Sequence, residues 1–338
     1  MFDKMSVRIG CRSRVIFLLS AFAVCLLLSF RVIPDIEADN DTGRYVQEFE
    51  NVCENIETEI SRSSISWRSF NLISSSVCFA DSKALFLLLA SAALPLSFLI
   101  FSSWKRGNLL LGIGFLLSTF SFELMTNALR QGFSLFFLVG AFSNANKFWK
   151  SAFAFAAVLL HDSSWIFAPL LIIFMLMKIN CNEAYRERLR FHTILGLSVV
   201  FFLGCILFLF QYAAGFLDFW SVFSEKYAEP QNVYFSIFMI MPIFWNYLIR
   251  SFEFNLPVDN FERITFVYIL LLLISILTFM PFIAYRFILS AIVIQTYIIM
   301  QKSRISSMGS ILISAGFIVH MLVFLVVGSN VRNVLFGL

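Results

Sequence analysis

Long apolar segments occupy most of this 338-residue chain, and they constrain its fold more than any other feature of the sequence. The segments are Val15–Val32, Ala84–Phe101, Leu109–Phe122, Leu129–Phe142, Phe148–Leu160, Trp165–Met177, Ile194–Phe216, Val233–Ile249, Ile264–Met280, Phe287–Met300 and Ser310–Val327. Apolar runs of about 20 residues cross a bilayer as helices, because a backbone in hydrocarbon must satisfy its own hydrogen bonds. The strands of a membrane barrel would instead alternate in polarity. The sequence therefore predicts an all-α, polytopic integral membrane bundle with about 11 transmembrane helices, within a range of 10 to 12.

The composition favours the same class. Apolar residues make up 59% of the chain and charged residues 14%, whereas soluble domains average about 25% charged residues. A disordered chain would show the opposite bias. Neither a long linker nor a fixed-period repeat divides the chain. We therefore predict a single transmembrane domain over residues 1–338, with one long loop at residues 31–83.

The charges of the short loops indicate the orientation of the chain, because cytoplasmic loops carry an excess of Lys and Arg. Four basic residues precede the first apolar segment, which ends without a small-residue cleavage site and is predicted to be an uncleaved helix. The loop at residues 31–83 contains ten acidic residues and five basic ones, which is typical of the outer side. Counting segments from there places Arg130, His161 and Arg286 on the outer side as well, with the C-terminus.

Arg130 is an unusual residue for its surroundings. Asn127, Arg130, Gln131 and Ser134 follow the spacing of one helical face, at the start of a segment rich in Phe, Leu and Val. An arginine at the centre of a membrane helix costs at least ~2.5–3.5 kcal/mol, so it needs a partner or a water-filled cavity. Arg130 could instead extend to the interface, but that would not explain the accompanying Asn127 and Gln131.

His161 follows the segment Phe148–Leu160, which is too short to cross the bilayer alone at 1.5 Å per residue. Either the helix continues through His161 or the bilayer is locally thin, and in both cases we expect His161 to lie at or below the outer interface. A histidine there can act as a general base or as a hydrogen-bond donor; the alternative is a structural side chain tied to Asp162 or to a carbonyl. His320, alone in an apolar segment, is predicted to be structural, and His192 to be solvated.

Arg286 opens the penultimate segment on the outer side, shortly after Pro281. Guanidinium groups match phosphate oxygens in bidentate fashion. Arg130 and Arg286 on one face therefore predict a site for a phosphate or a diphosphate.

The first outer loop contributes further candidates. Asp41, Tyr45 and Phe49 share one face of a predicted short helix. Asp39 and Asp41 could also hold Mg²⁺ or Mn²⁺, although this spacing is common by chance in an acidic loop. The stretch Ser66–Leu72 is amphipathic and suits the membrane interface.

Cys53 and Cys78 lie 25 residues apart in the same loop. An oxidising compartment permits a disulfide between them, and two free thiols are the alternative.

The polar motifs together resemble a known family. Asn127-x-x-Arg130-Gln131, a basic turn that ends at Lys150, and Leu160-His161-Asp162-Ser163-Ser164 resemble the EpsG-like branch of the bacterial O-antigen and exopolysaccharide polymerases, the Wzy proteins. The similarity extends to Asp41-x-x-x-Tyr45, to Lys226-Tyr227 and to Arg286. It implies a membrane glycosyltransferase of GT-C-like architecture in the bacterial inner membrane. Such an enzyme joins undecaprenyl-diphosphate-linked oligosaccharide repeat units at the periplasmic face and releases undecaprenyl diphosphate.

The resemblance also implies roles for individual residues. Arg130 and Arg286 would hold the diphosphate, whose charge grows in the transition state. His161 or Asp41 would take the proton of the acceptor hydroxyl, with His161 favoured. The residues expected to orient the head group or the sugar are Asn127, Gln131, Tyr45, Lys226 and Tyr227. No cofactor is expected, apart from the metal alternative at Asp39 and Asp41, and a chain-length regulator is an expected partner; the basic residues show no nucleic-acid-binding pattern.

Three other functions compete with this interpretation. A flippase for the same lipid-linked unit should line its centre with cations that are accessible from both sides. A membrane O-acyltransferase should carry a histidine near the first segment or an intramembrane histidine pair. An O-antigen ligase should have its long outer loop, with a histidine, late in the chain, whereas here the long loop comes first and lacks histidine.

Overall fold

The described residues of the computed structural model form mainly helices. It describes residues 2–30, 41–56, 65–78, 83–104, 108–144, 146–161, 164, 167, 170–171, 230–252, 265–270, 273, 284–302 and 306–327, and no strand occurs among them. The helices are α1 (Phe2–Ser29), α2 (Asp41–Cys53), α3 (Ile65–Ser75), α4 (Lys83–Phe101), α5 (Asn108–Leu116), α6 (Thr119–Thr126), α7 (Leu129–Ser143), α8 (Lys147–Leu160), α9 (Pro230–Phe252), α10 (Ala284–Lys302) and α11 (Ser307–Val327).

Several of these helices are long and apolar enough to span a membrane. In the described ranges, α4, α11 and the part of α1 from Arg12 to Ser29 meet that criterion. The pair α5 and α6 adds a fourth candidate span if the two are taken together. The chain is thus a membrane-embedded helical protein.

The prediction of one continuous helix over Leu109–Phe122 is wrong, because α5 and α6 meet at a bend of 55°. Ser118 lies at the bend with an extended backbone, and its hydroxyl oxygen accepts a hydrogen bond from the Ser121 amide. A serine that caps a new helix competes with continuation of the old one.

Lipid-facing and core-facing sides are distinct on α1 and α11. On α1, Leu19 and Leu27 are 62% and 76% exposed, while Phe17 and Cys25 are buried. Exposed leucines on an apolar helix are stable in contact with acyl chains, where water is absent.

The core of the bundle surrounds α7, which packs against α4, α8 and α10. On α10 the stretch from Ile288 to Ile294 is completely buried, as expected for a helix with neighbours on every side. At Gly114 of α5, a Cβ atom would lie 2.5 Å from the Cβ atom of Ser314, so glycine allows α5 to approach α11 closely.

His320 has the structural role that its apolar setting predicts. Its ring stacks between Phe120 and Phe238, with ring centroids 5.2 and 4.1 Å away. Its Nδ1 lies 3.1 Å from the Thr119 hydroxyl and its Nε2 lies 3.1 Å from the Phe238 carbonyl oxygen. His192 lies outside the described residues.

The described parts of the long first loop, α2 and α3, form a small layer against one end of the bundle. Tyr45 and Phe49 of α2 pack with Phe70 of α3 and with Phe86 of α4 in a second apolar cluster. A disulfide joins Cys53, the last residue of α2, to Cys78, which follows α3. The structure therefore has the disulfide and not the two free thiols. We call α2 and α3 the outer layer.

Candidate functional site

The start of α2 lies over the junction of α6 and α7. The Thr42 hydroxyl donates a hydrogen bond to the Thr126 carbonyl oxygen at 2.9 Å and contacts Asn127 Oδ1 at 3.3 Å. These contacts join the outer layer to the interrupted helix beneath it, and they place Asp41 beside the bundle.

The same junction corrects the predicted single helical face from Asn127 to Ser134. The amides of Asn127 and Ala128 both donate to the Glu123 carbonyl oxygen, at 2.9 and 2.8 Å, and α7 begins only at Leu129. Asn127 therefore ends α6, while Arg130 and the residues after it lie on α7. Two amides that share one carbonyl are typical of a helix terminus, which periodicity does not reveal.

Asp41 bridges two arginines. Its Oδ2 lies 3.1 Å from Nη2 of Arg286 on α10, and its Oδ1 lies 3.6 Å from Nη1 of Arg44, one turn later on α2. The three side chains are 26–37% exposed, so this group is accessible from outside the bundle. The structure thus brings together residues that are 245 positions apart in the sequence.

Arg130 is held by α3. Its Nη1 donates a hydrogen bond to the Ser66 hydroxyl at 2.9 Å, and its guanidinium lies 4.0 Å from the centroid of the Trp67 ring. A guanidinium over an indole face is a favourable cation–π arrangement. The side chain therefore has the protein partners that an arginine at the edge of an apolar segment requires.

Tyr45 lies between these two groups and is only 3% exposed. Its ring centroid is 5.3 Å from that of Trp67. Burial raises the pKa of Tyr45, while Arg130 lowers it through its charge and a hydrogen bond, Asp41 raises it and Arg286 lowers it. The hydroxyl is therefore a neutral donor at physiological pH.

His161 is the residue directly after α8, and the predicted continuation of the helix through it is wrong. The helix ends at Leu160, and His161 has an extended backbone with φ −158° and ψ 124°. Ser134 of α7 contacts both sides of this helix end, because its hydroxyl donates to the Ala157 carbonyl oxygen of α8 at 2.7 Å and hydrogen-bonds Ser164.

The electrostatics of His161 connect it to the arginines. The side chain is 9% exposed. Burial lowers the pKa of His161 well below 6.5, and the charges of Arg130 and Arg286 lower it further. The imidazole is therefore neutral at physiological pH, and the same burial and cations oppose its protonation. The same arginines act on Tyr45, so these residues surround one region.

Gln131 connects the helices that carry the arginines. Its Nε2 donates to the Arg286 carbonyl oxygen at 2.5 Å and to the Ser290 hydroxyl at 2.7 Å. The side chain is 1% exposed. Its contacts thus fix the position of Arg286 relative to α7.

Two residues of this region were not among the sequence candidates. Glu123 is 9% exposed and accepts a hydrogen bond from Asn127 Nδ2 at 3.1 Å. The sequence signal that could have identified Glu123 is its position as an acidic residue directly after an apolar segment. Arg44 entered the sequence analysis only as one of the five basic residues of the first loop. Its spacing of three from Asp41 allows an ion pair on a helix.

Some candidates lie outside the described residues, namely Asp39, Asp162, Lys226 and Tyr227. In the part of the chain that the structure describes, no group of three or more His, Cys, Asp or Glu residues could hold a metal ion. The arginines give this region the cationic groups that suit an anion, and His161 adds a buried neutral imidazole.

Comparison with known proteins points to one family. The family model described as the EpsG family matches residues 14–334, which is nearly the whole chain. No curated protein and no solved structure matches the chain.

Proposed function

The chain belongs to the EpsG family, whose members are Wzy-type polysaccharide polymerases, and we propose that it joins undecaprenyl-diphosphate-linked oligosaccharide repeat units at the periplasmic face of the bacterial inner membrane. The observation that supports this proposal is that Arg286, paired with Asp41 of α2, and Arg130, lying on Trp67 of α3, both act through their charges on His161. A reaction that expels a diphosphate and deprotonates a hydroxyl needs these groups.

In the proposed reaction, a sugar hydroxyl of one lipid-linked unit attacks the anomeric carbon of the growing chain on another. The new glycosidic C–O bond forms as the bond between that carbon and the diphosphate oxygen breaks, and undecaprenyl diphosphate leaves with the electron pair. His161 takes the proton of the attacking hydroxyl. Asp41 is the alternative proton acceptor.

Arg130 and Arg286 stabilise the leaving diphosphate. Negative charge accumulates on its bridging oxygen during bond breaking, so fixed cations bind the transition state more strongly than the substrate. The Tyr45 hydroxyl, buried and neutral, suits a polar group of the head group or sugar. In the same role we place Asn127, Gln131, Lys226 and Tyr227.

In the proposed architecture, about 11 transmembrane helices form a GT-C-like arrangement, and the outer layer lies in the periplasm. The disulfide Cys53–Cys78 supports that side, because disulfides persist in an oxidising compartment. A chain-length regulator is a proposed partner, and no cofactor is required by the proposed chemistry.

Complementation of a strain that lacks the gene tests the proposal. Arg130→Ala, His161→Ala and Arg286→Ala are expressed to equal levels, and the lipopolysaccharide is resolved on a gel. We expect the ladder to disappear while core capped with one repeat unit remains. The control is Arg68→Ala, which removes an exposed arginine of α3 and should leave the ladder intact.

The pattern of loss separates the competing functions. A missing single repeat as well as a missing ladder would indicate a flippase or a ligase. An unchanged ladder in all three variants would contradict the assigned site.

A further inference from the structure

We propose that Arg44 and Arg286 form the primary anion site and that the Asp41 carboxylate occupies it until a diphosphate displaces it. The inference rests on the proposed function only in naming a lipid diphosphate as the physiological ligand. The anion site itself follows from the contacts of these three side chains.

The geometry is that of a bound anion. Each carboxylate oxygen of Asp41 faces a different guanidinium, Oδ2 at 3.1 Å from Arg286 and Oδ1 at 3.6 Å from Arg44. A diphosphate offers oxygens in the same bridging arrangement, with more charge and more acceptors than a carboxylate.

The site is also accessible, and its internal ion pairs are replaceable. The side chains of Arg44, Arg286 and Asp41 are 37%, 33% and 26% exposed. Ion pairs with this exposure contribute little to stability because water screens them. A multivalent anion can therefore replace the carboxylate without unfolding any element.

The backbone around Asp41 is fixed at both ends of α2. Thr42 is attached to Thr126 and Asn127, and Cys53 is held by its disulfide to Cys78. Displacement of Asp41 therefore requires a change of side-chain rotamer and not a movement of the outer layer. Arg44, one turn away on the same helix, stays in place to bind the incoming anion.

Arg130 is a less suitable partner for this first contact. Its guanidinium already lies on Trp67 and bonds Ser66, and it has no carboxylate among the ion pairs described. The Arg130 guanidinium therefore lies on the side of the region that faces α3.

Binding of inorganic pyrophosphate to the full-length protein in detergent tests the proposal by isothermal titration calorimetry. Asp41→Asn and Asp41→Ser remove the competing charge, and Ser keeps an oxygen at the start of α2. We expect each to bind pyrophosphate about fivefold more tightly than the unaltered protein, because loss of the two exposed ion pairs of Asp41 frees about 1 kcal/mol for the incoming anion. Adding Arg44→Gln or Arg286→Gln to either variant should reverse the gain.

The matched control is Lys83→Gln, which breaks the ion pair between Lys83 and Glu50 near the same layer and should leave pyrophosphate binding unchanged. Unchanged or weaker binding in both Asp41 variants, with the thermal midpoint preserved, would overturn the proposal. The proposal would also be overturned if adding Arg44→Gln to an Asp41 variant left pyrophosphate binding as tight as in that Asp41 variant alone. Because the probe is inorganic, the binding result stands even if the gel assay shows no role in polymerisation.

Discussion

The guanidinium of Arg130 lies 4.0 Å from the centroid of the Trp67 ring, and this contact connects α7 of the bundle to α3 of the outer layer. The two residues come from segments that are separated by α4, α5 and α6. Trp67 thereby sets the direction of an arginine proposed to bind substrate, although it carries no charge itself.

Replacement of Trp67 by Ala should lower polymerisation about tenfold, because a cation–π contact contributes on the order of 1 kcal/mol and also orients Arg130. Trp67→Phe should retain most of the activity, since a phenyl ring offers a similar face. Chain growth is measured from the ladder intensity at matched expression. Trp149→Ala, which alters a 54% exposed tryptophan of α8, is the control; equal ladders for Trp67→Ala and the unaltered protein would contradict the assigned role.

Acid should destabilise the protein through His161. Its pKa in the folded state lies well below 6.5 because of burial and the neighbouring arginines, so below pH 6.5 the unfolded chain binds a proton that the folded one does not. Unfolding then becomes easier by about 1.4 kcal/mol for each pH unit, until the folded pKa is reached. Above pH 6.5 both states are neutral at this residue, and the contribution disappears.

The measurement compares thermal midpoints of the unaltered protein and His161→Gln between pH 7.5 and pH 5. We expect the unaltered protein to lose more stability over this range than the variant. Parallel curves for the two proteins would show that His161 is not buried in its neutral form.

The Cys53–Cys78 disulfide should stabilise the outer layer. Closing a loop of 25 residues restricts the unfolded chain and contributes about 2–4 kcal/mol. We expect dithiothreitol to lower the thermal midpoint of the unaltered protein. The variant with Cys53→Ser and Cys78→Ser should have the lower thermal midpoint without reductant, and dithiothreitol should not change it. A change in the midpoint of that variant would show that the reductant acts elsewhere in the protein.

Gln131→Met should destabilise the bundle by about 1–3 kcal/mol, because two donated hydrogen bonds are lost and the Ser290 hydroxyl loses a partner. It should also reduce polymerisation, since Gln131 fixes the backbone of Arg286. Gln295→Met is the matched control: Gln295 is also buried and bonds Asn246 and the Ile243 carbonyl oxygen in another part of the bundle. We expect that variant to lose stability but to keep its activity per folded molecule, and equal activities of the two variants would contradict the positioning role of Gln131.

Local patterns predicted the local features well. The spacing of Asp41, Tyr45 and Phe49 predicted a short helix, and α2 buries Tyr45 and Phe49 on one side. His320 was predicted to be structural from its apolar setting, and it is held between two phenylalanines. These predictions succeed because side chains three or four positions apart share a helical face whatever else the chain does.

The ends of the helices were not predictable in the same way. The bend at Ser118 interrupts an apolar segment that continues in the sequence. The ends of α6 at Asn127 and of α8 at Leu160 fall where polar residues begin, but the sequence pattern also allowed each helix to continue. A few polar contacts decide each of them, among them the bond from Ser134 to the Ala157 carbonyl oxygen. The contacts at Ser118 and Asn127 are local, and the one at Ala157 comes from another helix; none of them has a period in the sequence.

The residues alone identify a helical membrane protein of the EpsG family whose apolar segments are interrupted by a few polar side chains. The packed helices show which of these side chains meet: Asp41 with Arg44 and Arg286, and Arg130 with Trp67. The difference is one of distance along the chain. Burial of apolar segments depends on composition within about 20 residues, whereas an ion pair between positions 245 apart depends on how every intervening helix packs.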